Sequence, residues 1–203
     1  IEGETLTKVP SIDCITGDKL TAFAPNTIGI PYEKSGNSTT MEICKQLFDL
    51  SLLFEKIDNF EMVANTYQVF ANKEIEYRGG SLQIINILSD TLDTCLVIAK
   101  RGGGTPDEQT KFRGLQKGIK SFGTGYLMSG IFRIDNAISA ASKVAYIAAK
   151  ILKNDLSPIE YYKNEDIGTM EINDPQWGII NRLKKLPDKS AFYYFYKAFQ
   201  LMK

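Results

Sequence analysis

A lysine next to a loop of hydrogen-bonding residues is the feature of this sequence best suited to bind phosphate. Lys19 lies in the segment Gly17-Asp18-Lys19-Leu20-Thr21, and the loop that follows contains Asn26 and Thr27. A lysine ammonium beside Asn, Thr and backbone N–H groups can hold a polyphosphate. A surface Asp-Lys pair and an ordinary connector explain the same residues, and short motif matches are frequent false positives. The residues alone leave both interpretations open.

A second lysine and an aspartate share one face of the next predicted helix. Lys45 and Asp49 are four residues apart, so an α-helix brings their side chains together. This spacing is usually a solvated ion pair that adds about 0.3 to 0.5 kcal/mol. Taken by itself, the pair predicts no chemistry.

Two other patterns suggest ligand binding but have simpler structural explanations. The segment from Lys100 to Thr105 has three glycines before a predicted helix start, as in some phosphate-binding loops. It lacks the Walker spacing, and glycines that end one helix before a Thr N-cap explain every residue. The aromatic run from Phe192 to Phe199 could stack on bases, but its helical spacing favours a core-facing closing helix.

The composition removes several classes of function. The chain has no histidine, which excludes Ser-His-Asp and Cys-His catalysis and histidine-ligated metals. Its 24 basic and 24 acidic side chains cancel, so we expect no non-specific DNA binding and no electrostatic attraction to a membrane. No apolar run reaches the roughly 20 residues of a membrane helix. Three widely spaced cysteines, Cys14, Cys44 and Cys95, favour buried reduced thiols in a cytoplasmic protein.

Helical periodicity dominates the chain and predicts an all-α fold. Predicted helices cover about 11–24, 41–54, 59–78, 81–101, 105–125, 132–152 and 190–202, separated by glycine- or proline-containing connections. An irregular loop covers residues 26–40, and prolines break residues 153–188. We therefore expect an irregular bundle of six or seven helices. Phe54, Leu88, Val144 and Phe195 lie on apolar stripes of separate helices and should be buried.

The segments around Lys19 and Lys45 together resemble the AbiEii/AbiGii family of nucleotidyltransferase toxins, which act in bacterial toxin–antitoxin and phage-defence systems. The resemblance covers about residues 9–54. The residues that carry it are VPS at 9–11, GDKLTAFAPNTIGIPY at 17–32 and EICKQLFDL at 42–50.

The resemblance implies site roles for residues on both segments. Lys19 resembles the family's phosphate-binding lysine, and Asn26 and Thr27 follow it as candidate phosphate contacts. Lys45 and Asp49 resemble the later, catalytic element, with Lys45 where many members have arginine. In the family, an N-terminal polymerase-β-like domain supplies a glycine-led motif and a DxD pair for metal-bound NTP.

Neither of those N-terminal motifs occurs in this sequence. We therefore expect residues 1–203 to be one helical domain on the C-terminal side of a nucleotidyltransferase core, with a motif-bearing segment at 9–54 and a helical bundle at 55–203. The start at Ile1, without Met, agrees with this expectation. NTP and Mg²⁺ are expected in the full-length protein, whereas this chain alone is expected to hold no metal and to be inactive.

Two functions remain open at this point. In the first, the full-length protein transfers a nucleotidyl group from an NTP to tRNA, another RNA or a protein acceptor. In the second, the chain is a non-catalytic helical module that binds a cognate antitoxin or another partner. If the first is correct, Lys19, Lys45 and Asp49 should converge on one cleft bordered by the loop at residues 26–32.

Overall fold

The computed structural model describes residues 8–127 and 131–203, and within them it confirms the all-α prediction. These two described ranges contain seven α-helices, one 3₁₀-helix and one small hairpin. The α-helices are α1 (Ile12–Thr21), α2 (Thr40–Phe54), α3 (Phe60–Tyr77), α4 (Ile84–Ala99), α5 (Pro106–Gly125), α6 (Ile134–Leu152) and α7 (Ser190–Met202). The 3₁₀-helix covers Gly178–Lys185, and the antiparallel strands are β1 (Glu33–Lys34) and β2 (Asn37–Ser38).

Local capping signals explain where the helices begin. The Ser11 hydroxyl accepts a hydrogen bond from the Cys14 N–H at the start of α1, as expected of an N-cap serine. At the start of α5, the Thr105 hydroxyl and the Glu108 carboxylate cap each other's backbone N–H groups. The glycine-containing segment before α5 therefore acts as a helix boundary, which confirms the structural interpretation of the pattern.

The first helix is shorter than predicted. It ends at Thr21 rather than near residue 24. Beyond it the Phe23 N–H donates to the Leu20 carbonyl three residues back, and this tight turn starts the loop. The hairpin at 33–38 and the 3₁₀-helix at 178–185 were not anticipated, because segments this short carry little periodicity.

One continuous core joins all seven helices. Phe54, Leu88, Val144 and Phe195 are all buried, which confirms the predicted helix phases. The closing helix α7 packs against α6 and buries Phe192 and Phe195. None of the described helices is both long enough and apolar enough to cross a membrane.

Close helix contact positions the first segment of interest. At Gly17 of α1, an added Cβ would lie 2.5 Å from the Val63 carbonyl oxygen of α3, which leaves no space for a side chain. The helix α1 can therefore lie directly against α3. The Asp13 carboxylate, earlier in α1, accepts the Asp58 N–H just before α3. These contacts hold α1 with Lys19 directed towards α2.

Candidate functional site

Lys19 and Asp49 meet between α1 and α2. The Lys19 Nζ lies 2.8 Å from Asp49 Oδ2 and 3.4 Å from Gln46 Oε1. Lys19 is in the last turn of α1, where the partial negative charge of the helix C-terminus also favours a cation. The two segments of the resemblance therefore meet at Lys19 and Asp49, which is one part of the convergence expected for Lys19, Lys45 and Asp49.

The pair remains accessible to solvent. The side chains of Lys19 and Asp49 are 32% and 28% exposed. A lysine ammonium has three hydrogen-bond donors, and Asp49 and Gln46 account for two of them. The third donor and the exposed surface are free to contact an anion without breaking the pair.

Lys45 points away from this pair. It is exposed on α2, and its Nζ lies 5.8 Å from the ring centroid of Tyr126, the residue that follows α5. Among the described ion pairs, the Asp49 carboxylate is paired with Lys19 and not with Lys45, although Lys45 is one helical turn away. Lys45 and Asp49 therefore do not pair with each other: Asp49 binds Lys19, and Lys45 lies over the Tyr126 ring.

Asn26 and Thr27 are brought to a different carboxylate. Asp90 of α4 is buried and accepts hydrogen bonds from the Asn26 N–H at 2.8 Å, the Asn26 side-chain amide at 2.5 Å and the Thr27 hydroxyl at 2.8 Å. The Thr94 hydroxyl is a further donor at 3.4 Å. A phosphate could engage these loop groups only by replacing Asp90. In this conformation, Asn26 and Thr27 anchor the loop to α4.

Further contacts fix the loop that follows α1. The Thr91 hydroxyl donates to the Phe23 carbonyl, and the Arg78 guanidinium donates to the Ile28 carbonyl at 2.5 Å. Gly29 lies so close to the chain ahead of it that a Cβ would approach the Ala22 oxygen to 2.5 Å. The glycine is therefore required for this loop conformation.

A groove of about 310 Å³ runs beside this loop. Lys34 of β1 and Arg78 contribute positive charge, and Glu74 contributes negative charge. The remaining lining residues are Thr21, Ala22, Ile28, Gly29, Ile30, Pro31 and Thr39. Lys19 and Asp49 are not part of this lining, so the groove that the loop borders does not contain the pair.

Within residues 8–127 and 131–203, no three or more Asp, Glu, Cys or His side chains are grouped so that they could hold a metal ion.

The cysteines differ in their surroundings: Cys44 and Cys95 are buried, and burial raises the pKa of the Cys44 thiol to about 12. Cys14, in the first turn of α1, is only partly buried, so the expectation of three buried thiols is correct for two of them.

Sequence reasoning missed a buried lysine, Lys150 of α6. Its Nζ lies 2.9 Å from Asp155 Oδ2 and 2.9 Å from the Ser157 hydroxyl, and 5.0 Å from the Phe60 ring centroid. The Lys150 side chain is 1% exposed. The only signal for it in the sequence is a lysine within the apolar stripe of α6. Its partners Asp155 and Ser157 lie beyond the end of that helix, so helical spacing does not reveal them.

Comparisons with known proteins identify no relative. No family model matches the chain, and neither the curated proteins nor the solved structures include a significant match. The resemblance to the AbiEii/AbiGii family therefore stays a prediction from the residues of segment 9–54.

Proposed function

We propose that the intact protein is a bacterial nucleotidyltransferase of the toxin type. In this proposal it transfers a nucleotidyl group from an NTP to an RNA, such as tRNA, or to a protein acceptor. This chain provides the helical part, and Lys19 binds the phosphates of the nucleotide. The observation that carries the proposal is the 2.8 Å contact between Lys19 and Asp49, which joins the two segments of the resemblance.

The pair suits a role in which Asp49 orients Lys19. The carboxylate and the Gln46 amide oxygen fix the ammonium, while its third donor remains available for a phosphate oxygen. Each charged hydrogen bond of this kind contributes about 1.5 to 3 kcal/mol. The negative charge of Asp49 also repels the bound phosphates. Asp49 is therefore expected to orient Lys19 rather than to increase the affinity for the nucleotide.

Isothermal titration of the full-length protein with the four NTPs and Mg²⁺ tests this role. We expect Lys19→Ala to weaken nucleotide binding by about tenfold or more, since the lost hydrogen bond is worth about 1.4 kcal/mol or more. Lys56→Ala is the matched control, because Lys56 is an exposed lysine that follows α2 and carries the same charge. Equal binding by wild type and Lys19→Ala, or no binding by either, would overturn the proposal.

Asp49→Asn separates orientation from affinity. It keeps the size of the side chain but removes the charge that holds Lys19, so we expect turnover to fall more than nucleotide affinity. The test is the rate of nucleotide transfer at saturating NTP, compared with the dissociation constant from titration. An equal loss of both would contradict a positioning role.

The second candidate is a non-catalytic module that binds a cognate antitoxin or another protein. The exposed apolar side chains Ile12 on α1 and Leu52 on α2 favour it. This function predicts the opposite pattern: Lys19→Ala leaves NTP titrations unchanged, whereas substitution of exposed apolar residues abolishes partner binding. The upstream reading frame offers a further test, since a GGxxL or GSxxxxR segment followed by a strand ending in DxD favours the transferase.

A further inference from the structure

One region of this chain is strongly basic although the chain as a whole is neutral. Residues 109–134 contain no Asp or Glu. The basic residues of this region are Lys111, Arg113, Lys117, Lys120 and Arg133. The equal totals of acidic and basic side chains therefore conceal a local excess of positive charge. A local excess of this kind attracts polyanions.

Four of these cations have no carboxylate partner in the described part of the chain. Lys111 is paired with Asp107, whereas none of the described ion pairs involves the other four. All four side chains are exposed. We call the surface that they form the basic face; its residues are Arg113, Lys117, Lys120 and Arg133.

Helix geometry aligns three members of the basic face along α5. At 3.6 residues per turn, Arg113, Lys117 and Lys120 fall within about 60° of arc. The buried residues Leu115 and Ile119 lie on the opposite side of the helix. From Arg113 to Lys120 the helix rises by about 10 Å. A stacked nucleic-acid strand has one phosphate per roughly 3.4 Å of its axis, so the row of cations matches about three consecutive phosphates.

An apolar cleft of about 450 Å³ adjoins this row. Two members of the basic face, Lys120 and Arg133, are part of its lining. The remaining lining residues are Gln116, Ile119, Gly123, Thr124, Ile131, Phe132 and Ile134. Ile131 is 63% exposed and therefore accessible to a ligand. A cleft of this size suits a small planar group such as a nucleobase, since ligand pockets begin at roughly 300 Å³.

We infer that the basic face binds a single-stranded RNA, with the phosphates along α5 and one base in the apolar cleft. Proteins that bind single strands combine a positively charged track for the backbone with an apolar or aromatic surface for the bases. The choice of RNA among single strands rests on the proposed function, in which RNA is a candidate acceptor. The inference then selects RNA over a protein acceptor.

The neighbours of the basic face favour nucleic acid over a membrane surface. The other exposed positions on the outer side of α5 include Gln109, Thr110, Gln116 and Thr124. This side of the helix therefore lacks the apolar side chains that a membrane-surface helix inserts between lipids. Hydroxyl and amide groups are common contacts to phosphate and sugar oxygens in nucleic-acid complexes.

Fluorescence anisotropy with a labelled RNA of about ten nucleotides measures the binding. It uses the full-length protein without NTP. Four phosphate contacts predict about 50-fold weaker binding by wild type when the salt rises from about 50 to about 200 mM. In Lys117→Gln/Lys120→Gln the same change should weaken binding only about sevenfold, because two contacts are lost.

Lys56→Gln/Lys73→Gln is the matched control. It also removes two exposed lysines, one after α2 and one on α3, and should keep the salt dependence of wild type. Absence of RNA binding by wild type would overturn the inference. The same salt dependence in the two double variants would overturn it as well.

An abasic strand of the same length tests the cleft, because it keeps the phosphates and lacks the bases. Wild type should bind this strand at least about fivefold more weakly than the RNA, as expected for the loss of one base contact. Ile131→Ala should weaken binding of the RNA but not of the abasic strand. Equal affinity of wild type for both strands would overturn the binding of a base in the cleft.

The NTP titration keeps this inference separate from the proposed function. Lys117→Gln/Lys120→Gln should bind NTP as wild type does, and Lys19→Ala should bind the RNA as wild type does. RNA binding through the basic face without any NTP binding would support the inference and overturn the transferase. Binding of polyglutamate or of anionic lipid vesicles through the basic face, without binding of RNA, would overturn the inference.

Discussion

Two lysine–aspartate pairs in this molecule have nearly the same geometry and very different surroundings. Lys19 and Asp49 are 2.8 Å apart, and Lys150 and Asp155 are 2.9 Å apart. The first pair joins two helices at the surface. The second joins Lys150 in the last turn of α6 to Asp155 just beyond the helix. The Lys150 side chain is buried there, next to the Phe60 and Tyr146 rings.

The difference shows that distance alone does not reveal what an ion pair does. A buried charge that loses its partner is left without solvation, so breaking such a pair is costly. An exposed pair contributes about 0 to 1 kcal/mol, because water replaces the lost contact. Lys150 therefore stabilises the fold. Lys19, in contrast, can bind a ligand in addition to Asp49 or in place of it with little loss of stability.

The largest effect is expected from Asp155→Ala. This change leaves the buried Lys150 ammonium with only the Ser157 hydroxyl as a partner, and we expect a loss of about 3 kcal/mol in the free energy of unfolding. Urea denaturation measures it. Lys150→Met is the matched control, because it removes the charge but keeps an unbranched side chain, and it should cost less than Asp155→Ala. The reverse order would show that the charge of Lys150 is not the reason for the pair.

The pH dependence of stability provides a second control for this pair. Burial raises the pKa of Asp155, but hydrogen bonds from Ser157 and Lys150 outweigh burial and leave the pKa below its ordinary value. A lowered native pKa contributes stability above the unfolded-state pKa, and this is lost as the pH falls through the native pKa. Wild type should therefore lose more stability on acidification than Asp155→Ala. Parallel curves would contradict the assignment.

An intermediate effect is expected at Asp90, a buried carboxylate bound by neutral donors instead of a lysine. Asp90→Ala removes the acceptor for Asn26 and Thr27, and we expect a loss of about 2 kcal/mol, because the exposed Asn26 regains water. Hydrogen exchange at residues 26–30 should accelerate, while exchange in α6 remains slow. Unchanged exchange at Asn26 and Thr27 would mean that Asp90 does not hold the loop.

These contrasts also explain what the sequence could predict. Helix phases follow from local periodicity, so the burial of Leu88 and Val144 was predicted correctly. The meeting of Lys19 and Asp49 was expected only because their two segments together resemble one family. The attachment of Asn26 to Asp90 did not, because the two residues are 64 positions apart and no local pattern connects them. The same holds for Lys45, whose neighbour Tyr126 follows α5, 81 positions further along the chain.

The smallest effect on stability is expected from the pair that we assign to function. Lys19→Ala and Asp49→Ala should each change the free energy of unfolding by no more than about 1 kcal/mol, because both side chains are partly hydrated. Together with the variant that carries both changes, they form a double-mutant cycle, and the coupling energy between Lys19 and Asp49 should be about 0.3 to 1 kcal/mol. Added salt should reduce this coupling, since exposed charges are screened.

A double-mutant cycle on Lys150 and Asp155 gives the coupling energy of a buried pair, with which the coupling of Lys19 and Asp49 can be compared. Its coupling energy should be several times larger and nearly independent of salt, because that pair is shielded from ions. If the coupling of Lys19 and Asp49 equals that of the buried pair, the surface pair is a structural support. Its ammonium would then not be free to bind a phosphate. A small, salt-sensitive coupling leaves Lys19 able to bind a ligand without unfolding the chain.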